Sequence, residues 1–587
     1  MKKKSDFKNI VKILKQAYKL SPENMRCTIL ATFISSAKNI ITILMPLLLL
    51  TVIENAKHFL EIIGIVFLYA FIITIANMTE KYFSLKLTAL GYGASNRATF
   101  HIGKKGMRLD YKHWESAESL EQNYKAVTSG WIFMGISDVI FENLLKAVLS
   151  IIVVSYIVIK VNFFVWLVIF LLVGLEIFIN RKYSLAIHDV DMEIAKENKK
   201  LSYDKKVLSD LQYGKEIRLY HSSNFLCDKF QKESQTVLKL EKKKQWLHMK
   251  NSFLTTILFF AETVLIYFFA IKQYASGILS IGYFLTFLNA IREFSSSLVA
   301  LLQVNVDLAE INDYYENYDA YMQLSEEMRK SQNVLKDEKE WELRFKNVSF
   351  CYPNSDVVVL KNLNFSIHSG EKIALVGENG SGKTTLIKLL LRLYDVTEGE
   401  ILLNGVNIKE YEYESYIKIF SPIFQDFQLH AYSIKENISF LDKENEEKIW
   451  SLLKENELET IIRDCPKQLD TYVSKLLEED GREFSGGEKQ KLAMVRAQYK
   501  EGKIFVLDEP TSAIDPIAEV KFFQRVNQMI KSQTAVFVSH RMASTKFANK
   551  IIVLQNGVVE EIGTYEELIK ANGIYAQMFH LQSIYYT

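Results

Sequence analysis

Lys383 and the residues around it carry the most legible chemistry in the chain. The run Gly377-Glu378-Asn379-Gly380-Ser381-Gly382-Lys383-Thr384 fits the spacing of a phosphate-binding loop, GxxxxGK and then Ser or Thr, and Thr385 follows it. Glycines let backbone N–H groups approach an anion closely, and the start of a helix presents more of them. The lysine adds a mobile cation for the β- and γ-phosphates of a nucleotide. The Thr384 hydroxyl suits a Mg²⁺ ion. These nine residues are the candidate triphosphate cradle.

A second constellation follows about 125 residues on, where the apolar run Lys503–Leu507 ends in Asp508-Glu509. An acidic pair at a strand end beside a phosphate loop suits a Mg²⁺ partner, Asp508, and a base for a water, Glu509.

Such residues need elements to position them. Lys372–Val376 reads as a buried strand leading into the loop, and Leu386–Leu393 as the helix leaving it. Short β-rich runs containing Leu343, Phe345 and Phe350 open an α/β domain that we expect over residues 341–587. The polar stretch 323–340 before it reads as a linker.

Residues 25–322 have another character. Six apolar stretches (28–53, 59–78, 136–159, 163–179, 252–271 and 278–302) approach or exceed the roughly 20 helical residues that cross a bilayer core of about 30 Å. The connections alternate between short and long, and the long ones carry Lys and Arg. The positive-inside rule places them, with both termini, in the cytoplasm. The spanning helices are expected to run past the membrane, with tips near Asp110–Ser119 and Asp204–Arg218. Residues 1–24 read as a basic amphipathic helix on the membrane surface, with Phe7, Ile10, Val11, Leu14 and Tyr18 on one face. Among charges within the spans, Glu262 is the foremost candidate for a substrate pathway, ahead of Arg292 and Glu293.

Composition narrows the function classes. Lys and Arg number 71 against 69 Asp and Glu, a net charge of +2, so nothing favours a nucleic-acid partner. The four cysteines are far apart and suggest neither a zinc site nor a disulfide framework.

Further motifs, taken with those above, resemble the ATP-binding-cassette family over essentially the whole chain. Phe484-Ser485-Gly486-Gly487-Glu488 resembles its signature loop, with Glu488 where Gln is usual and Phe484 where Leu is usual. Tyr352 matches the aromatic that stacks on adenine, Gln425 the glutamine that senses Mg²⁺ and the membrane domain, Ser512–Asp515 the D-loop, His540 the switch histidine and Glu509 the catalytic glutamate. The resemblance implies a fold class: an α-helical transmembrane domain of six spanning helices with long cytoplasmic extensions, then an α/β P-loop ATPase domain with a helical subdomain. It implies ATP and Mg²⁺ as cofactors, with Thr384, Gln425 and Asp508 around the metal. It also implies catalytic roles for Glu509, His540 and Gln425. Each nucleotide would lie between the phosphate loop of one chain and Ser485–Glu488 of another, with Asp515 at the same interface.

The function so implied is ATP-driven export from the cytoplasm, in the plasma membrane, by a dimer surrounded by lipid. The cargo classes are peptides, lipids or amphipathic small molecules. A homodimer is favoured because Glu509, His540 and Asp515 are all present; half of a heterodimer, an exporter-fold importer, and a non-transporting sensor or channel are the alternatives.

Overall fold

The structure, a computed structural model, describes residues 7–584 except 56–58, 162, 211–212, 278–279, 337, 354, 441–443, 510–523, 525–532 and 539–541. The chain divides into two compact units.

The first unit, Met1–Gly106 with Glu121–Gln323, is helical. Its elements in order are α1 (Phe7–Leu20), α2 (Pro22–Asn55) and α3 (Phe59–Arg108), the last reaching into the second unit. After a short helix α4 (Lys112–Glu115), which belongs to the second unit, come α5 (Ala117–Thr128) and α6 (Ile132–Ser137). A π-helical turn, Asp138–Leu145, leads into α7 (Lys146–Val161). Then follow α8 (Phe163–Ser209), α9 (Gly214–Leu219), α10 (Ser223–Ala275) and α11 (Ile281–Met322).

Among the described residues, five helical stretches are long and apolar enough to cross a membrane: Pro22–Ile53, Phe59–Arg108, Ile132–Ile157, Ser223–Ala275 and Ile281–Met322. The remaining expected span heads α8, a helix of 47 residues. Spanning helices keep every backbone hydrogen bond internal, which hydrocarbon demands. Glu262 is 3% exposed, and its Oε2 accepts a hydrogen bond from Ser295 Oγ at 3.1 Å, so this carboxyl faces the bundle rather than the outside. On α1 the buried face is Ile10, Ile13, Ala17 and Leu20, rotated from the stripe read in the sequence; Tyr18 is 43% exposed. Asn9 and Gln16 reach across to Asn312 (3.0 Å) and Tyr318 (2.9 Å) of α11, which fixes that rotation.

The second unit, Met107–Leu120 with Leu324–Thr587, is α/β. Strands β1 (Glu342–Cys351), β2 (Val358–His368), β4 (Glu398–Leu403) and β5 (Val406–Asn407) form an antiparallel sheet in the order β2-β1-β4-β5. Phe345 and Phe365 lie directly opposite in it and stack at 4.3 Å between centroids. A second sheet has the order β10-β9-β3-β8-β7-β6, with β3 (Lys372–Val376), β6 (Phe420–Ile423), β7 (Ile504–Asp508), β8 (Thr534–Val538) and β9 (Lys550–Gln555) parallel, and β10 (Val558–Gly563) an antiparallel edge. Every residue of β7 and β8 is buried, as a parallel sheet covered on both faces requires. One face meets the antiparallel sheet through Leu343, Ile373 and Val536, and the other meets helices through Ala374, Met494 and Phe537. A third core, around Ile434, Leu453, Leu469 and Leu492, holds a separate helical subdomain.

The turn Glu327–Arg329 enters this unit pinned from two sides. Asp110, 4% exposed, accepts hydrogen bonds from the N–H groups of Glu327 (3.1 Å) and Met328 (3.2 Å). Arg392, 2% exposed, donates to the carbonyls of Tyr411, Lys409 and Met328. Buried charges persist where such bonds replace water.

Candidate nucleotide site

The loop after β3 is shaped by what its glycines must avoid. A methyl on Gly377 would come 2.1 Å from the Leu554 carbonyl oxygen, and one on Gly382 would come 2.5 Å from Leu360 Cδ2. Gly382 also has φ +104°, a backbone state that side chains disfavour. Helix α12 (Lys383–Leu390) starts immediately after it. Its first N–H groups therefore face the loop, with the positive end of the helix dipole behind them.

Lys383 is buried, and its Nζ donates to the carbonyls of Gly377 and Glu378 at 2.8 Å each. Burial pushes this ammonium's pKa down, while the carboxylates of Glu509 and Asp508 pull against the shift. The hydroxyl of Ser381 is buried without a protein partner among the described residues. A buried donor of this kind at the mouth of a cationic loop suits a phosphate oxygen.

Sheet order brings the second constellation alongside. Val538 of β8 pairs with Leu375 of β3 on one side and with Asp508 of β7 on the other. The phosphate loop and Asp508-Glu509 thus emerge from the same carboxyl edge with one strand between them, the usual ligand edge of an open parallel sheet. Asp508 is buried and Glu509 half-buried. Glu509 has φ +47°, and its N–H donates to the Val538 carbonyl at 3.3 Å. A non-glycine residue held there is strained, and such strain gathers at functional sites. Gln425 follows β6 on the same edge and is exposed. His540 and Ser512–Asp515 lie outside the described residues.

Tyr352 is half-buried at the end of β1. Its hydroxyl shares a hydrogen bond of 2.9 Å with Thr385 Oγ1 in the first turn of α12, which ties the ring to the phosphate loop.

Ser485–Glu488 stands apart, on the helical subdomain. Ser485 caps helix α13 (Gly486–Tyr499) in a capping box: its N–H donates to Glu488 Oε2 at 2.7 Å, and the Glu488 N–H donates to Ser485 Oγ at 3.3 Å. Ser485, Gly486 and Gly487 are exposed. Arg482 lies 3.5 Å from Glu488. The backbone N–H of Ser485 is the main cause that holds the Glu488 carboxyl below its ordinary pKa. Glu488 is therefore spent on the helix start rather than aimed outward, and the Ser-x-x-Glu pattern was its signal in the sequence. We predict that Glu488→Gln leaves ATP turnover within about twofold and stability within about 1 kcal/mol, because glutamine serves the same capping position. A tenfold loss of turnover at unchanged melting temperature would place the carboxylate on the nucleotide instead.

Known proteins resemble this chain in sequence and in fold. The family model described as ABC transporter matches residues 360–512. The subtilin transport ATP-binding protein SpaT of Bacillus subtilis is 34% identical over 370 residues, covering 62% of this chain and 60% of that protein. The nisin transport ATP-binding protein NisT of Lactococcus lactis subsp. lactis is 27% identical over 571 residues, 92% of each. An ATP-dependent lipid A-core flippase of Haemophilus influenzae is 34% identical over 295 residues, 49% of this chain and 50% of that protein. The alignments thus span most of the second relative, but less than two thirds of the first and third. A solved bacterial Atm1-family ABC exporter with ATP bound shares the fold, with a TM-score of 0.79 over 96% of this chain and 98% of that one, at 18% identity.

Proposed function

We propose that the chain is a member of the ABC transporter family, whose model matches residues 360–512, and that it is an ATP-driven exporter of peptides that works as a dimer in the plasma membrane. The observation that carries the reading is the fusion, in one chain, of a phosphate loop on an ATPase sheet to a set of membrane-spanning helices. The peptide class is supported by NisT, a nisin transport protein aligned over 92% of both chains.

In this reading the triphosphate lies on the Gly377–Thr385 loop, with Lys383 against its β- and γ-oxygens. Thr384, Asp508 and Gln425 offer a hydroxyl, a carboxylate and an amide oxygen, hard donors that fit Mg²⁺ held jointly with phosphate oxygens. The ion neutralises charge on the β- and γ-phosphates when bound. Glu509 takes the proton of the water that attacks the γ-phosphorus, His540 stabilises the same oxygens, and Tyr352 stacks on adenine.

The exposed Ser485–Gly487 loop, carried on a core of its own, closes the site of a second copy. Leu219 and Tyr220, 78% and 80% exposed where α9 ends, suit a surface that an assembly covers. ATP binding favours the closed dimer only through its preference for that state, and hydrolysis removes the bridging γ-phosphate. Both termini are cytoplasmic.

The test is transport in vesicles with the cassettes facing outward. MgATP is expected to drive accumulation of a peptide such as nisin, with turnover stimulated by it and abolished in Glu509→Gln. Conductance on ATP binding without accumulation would favour a channel. ATP-dependent flipping of a labelled lipid, with peptides inert, would move the cargo class to lipids.

A further inference from the structure

We propose that Glu115 is a positioning residue for the nucleotide: it holds Lys388 in a cage of tyrosines that includes Tyr352, and so couples the base end of the ATP site to the segment Met107–Leu120. The inference rests on the reading of Tyr352 as the adenine-stacking ring.

Lys388 lies on α12, one turn beyond Thr384, with its side chain 20% exposed. Its Nζ is 2.6 Å from Glu115 Oε1. It is also 5.5, 5.7 and 5.9 Å from the ring centroids of Tyr352, Tyr111 and Tyr394. The second Glu115 oxygen accepts the Tyr394 hydroxyl. Tyr394 meets Tyr352 edge-on at 5.4 Å and Tyr111 edge-on at 5.7 Å. One ammonium thus joins the phosphate-loop helix, the candidate base-stacking ring and the segment carrying Glu115. All of these residues belong to one compact unit.

The Glu115 side chain is 38% exposed, and an exposed ion pair contributes little by itself, so the effect rests on the rings around Lys388 and on the second bond that Glu115 makes. Three rings cover much of the ammonium and attract it through their faces, but they do not neutralise it. Glu115 supplies the counter-charge. Burial pushes its carboxyl up, yet hydrogen bonds from Lys388 and Tyr394 outweigh this and leave it below the ordinary value. Without that carboxylate Lys388 has reason to leave the cage for water or for the nearby phosphates, and the Tyr352 ring loses the cation that fixes its plane. A purine stacks only on a ring held in place. Coupling of this sort is reciprocal: if Glu115 favours the base, the base favours the docked position of its segment. In sequence that segment joins spanning helix α3 to the span Ile132–Ile157.

The experiment uses the full chain in lipid nanodiscs and compares MgATP with magnesium tripolyphosphate, which has no base. Glu115→Gln is expected to weaken ATP binding about 5- to 20-fold and tripolyphosphate binding less than twofold. Lys388→Gln should do the same, and the double variant should add nothing to either single. In the unmodified chain ATP, but not tripolyphosphate, should slow amide hydrogen exchange over residues 110–119, and Glu115→Gln should abolish that slowing. Tyr352→Ala separates the two layers. If it weakens both ligands equally, the stacking assignment itself fails. If it weakens ATP selectively while Glu115→Gln and Lys388→Gln act equally on both ligands or on neither, the stacking ring stands and the coupling is overturned.

Discussion

Glu509→Gln is expected to lower ATP turnover by at least about 100-fold, at the lower end of what removal of a positioned base costs, while nucleotide binding is kept. The backbone there is already committed: φ is +47°, and the N–H is tied to the Val538 carbonyl. Glutamine has the same length and keeps that geometry, so what disappears is the proton acceptor and one negative charge. The lost charge matters for binding as well. Glu509 acts on Lys383 from the same strand edge, and a triphosphate placed there is repelled by the carboxylate. The variant should therefore bind MgATP at least as tightly as the unmodified chain and accumulate in the closed dimer. Steady-state turnover, equilibrium binding of MgATP, and cross-linking between copies of the signature loop and the phosphate loop test this together. Turnover within fivefold of normal would remove Glu509 from the base role. Loss of binding would mean that the carboxylate acts chiefly in shaping the cradle.

How far the site was legible follows from which constraints are local. The Gly377–Thr384 loop is a local constraint: glycine is required where a methyl would strike Leu554 or Leu360, and the residue pattern records this directly. The acidic pair was legible as a strand end, but its place beside the loop was not. That place depends on the order β3-β8-β7, set by long-range pairing that no nearby residue encodes. Glu488 was read as part of a loop that meets a nucleotide, and the structure adds a capping partner three residues away. The capping pattern was present, but the unusual residue in a familiar motif drew attention from it.

The apolar stretches foretold spanning helices because hydrocarbon leaves the backbone little alternative. The face of α1 that packs on its neighbours, Ile10, Ile13, Ala17 and Leu20, was not read from the sequence, since lysines on a short helix do not reveal which apolar residues a neighbour will cover. Least legible was the grouping of Met107–Leu120 with the cassette. Asp110, Glu115, Lys388 and Arg392 are ordinary surface residue types, and only the fold buries Asp110 and Arg392 and brings Glu115 and Lys388 together.

Lys383→Met carries the second large effect, and it separates binding from folding. The methionine retains an apolar stem of similar reach and removes the ammonium. For the nucleotide the loss is direct. A charge-assisted hydrogen bond contributes about 1.5–3 kcal/mol, so ATP affinity should fall roughly 10- to 150-fold. Thermal shifts make this measurable. A ligand at about 1,000 times its Kd stabilises by about 4.1 kcal/mol, and a 100-fold weaker affinity reduces that to about 1.4 kcal/mol.

For the nucleotide-free fold the sign is different. Burial lowers the Lys383 pKa in the folded state, so holding this ammonium charged opposes folding at neutral pH. A folded pKa below the unfolded one means that stability rises as pH climbs through the folded value toward the ordinary lysine value of about 10.4. The unmodified chain should show that rise relative to Lys383→Met, which has no group there to titrate. The variant should therefore melt no earlier than the unmodified chain without nucleotide, and clearly earlier with saturating MgATP. If it instead melts well below the unmodified chain under both conditions, Lys383 is chiefly a structural clamp on the Gly377 and Glu378 carbonyls. The cradle assignment would then rest on the glycines and Ser381 alone.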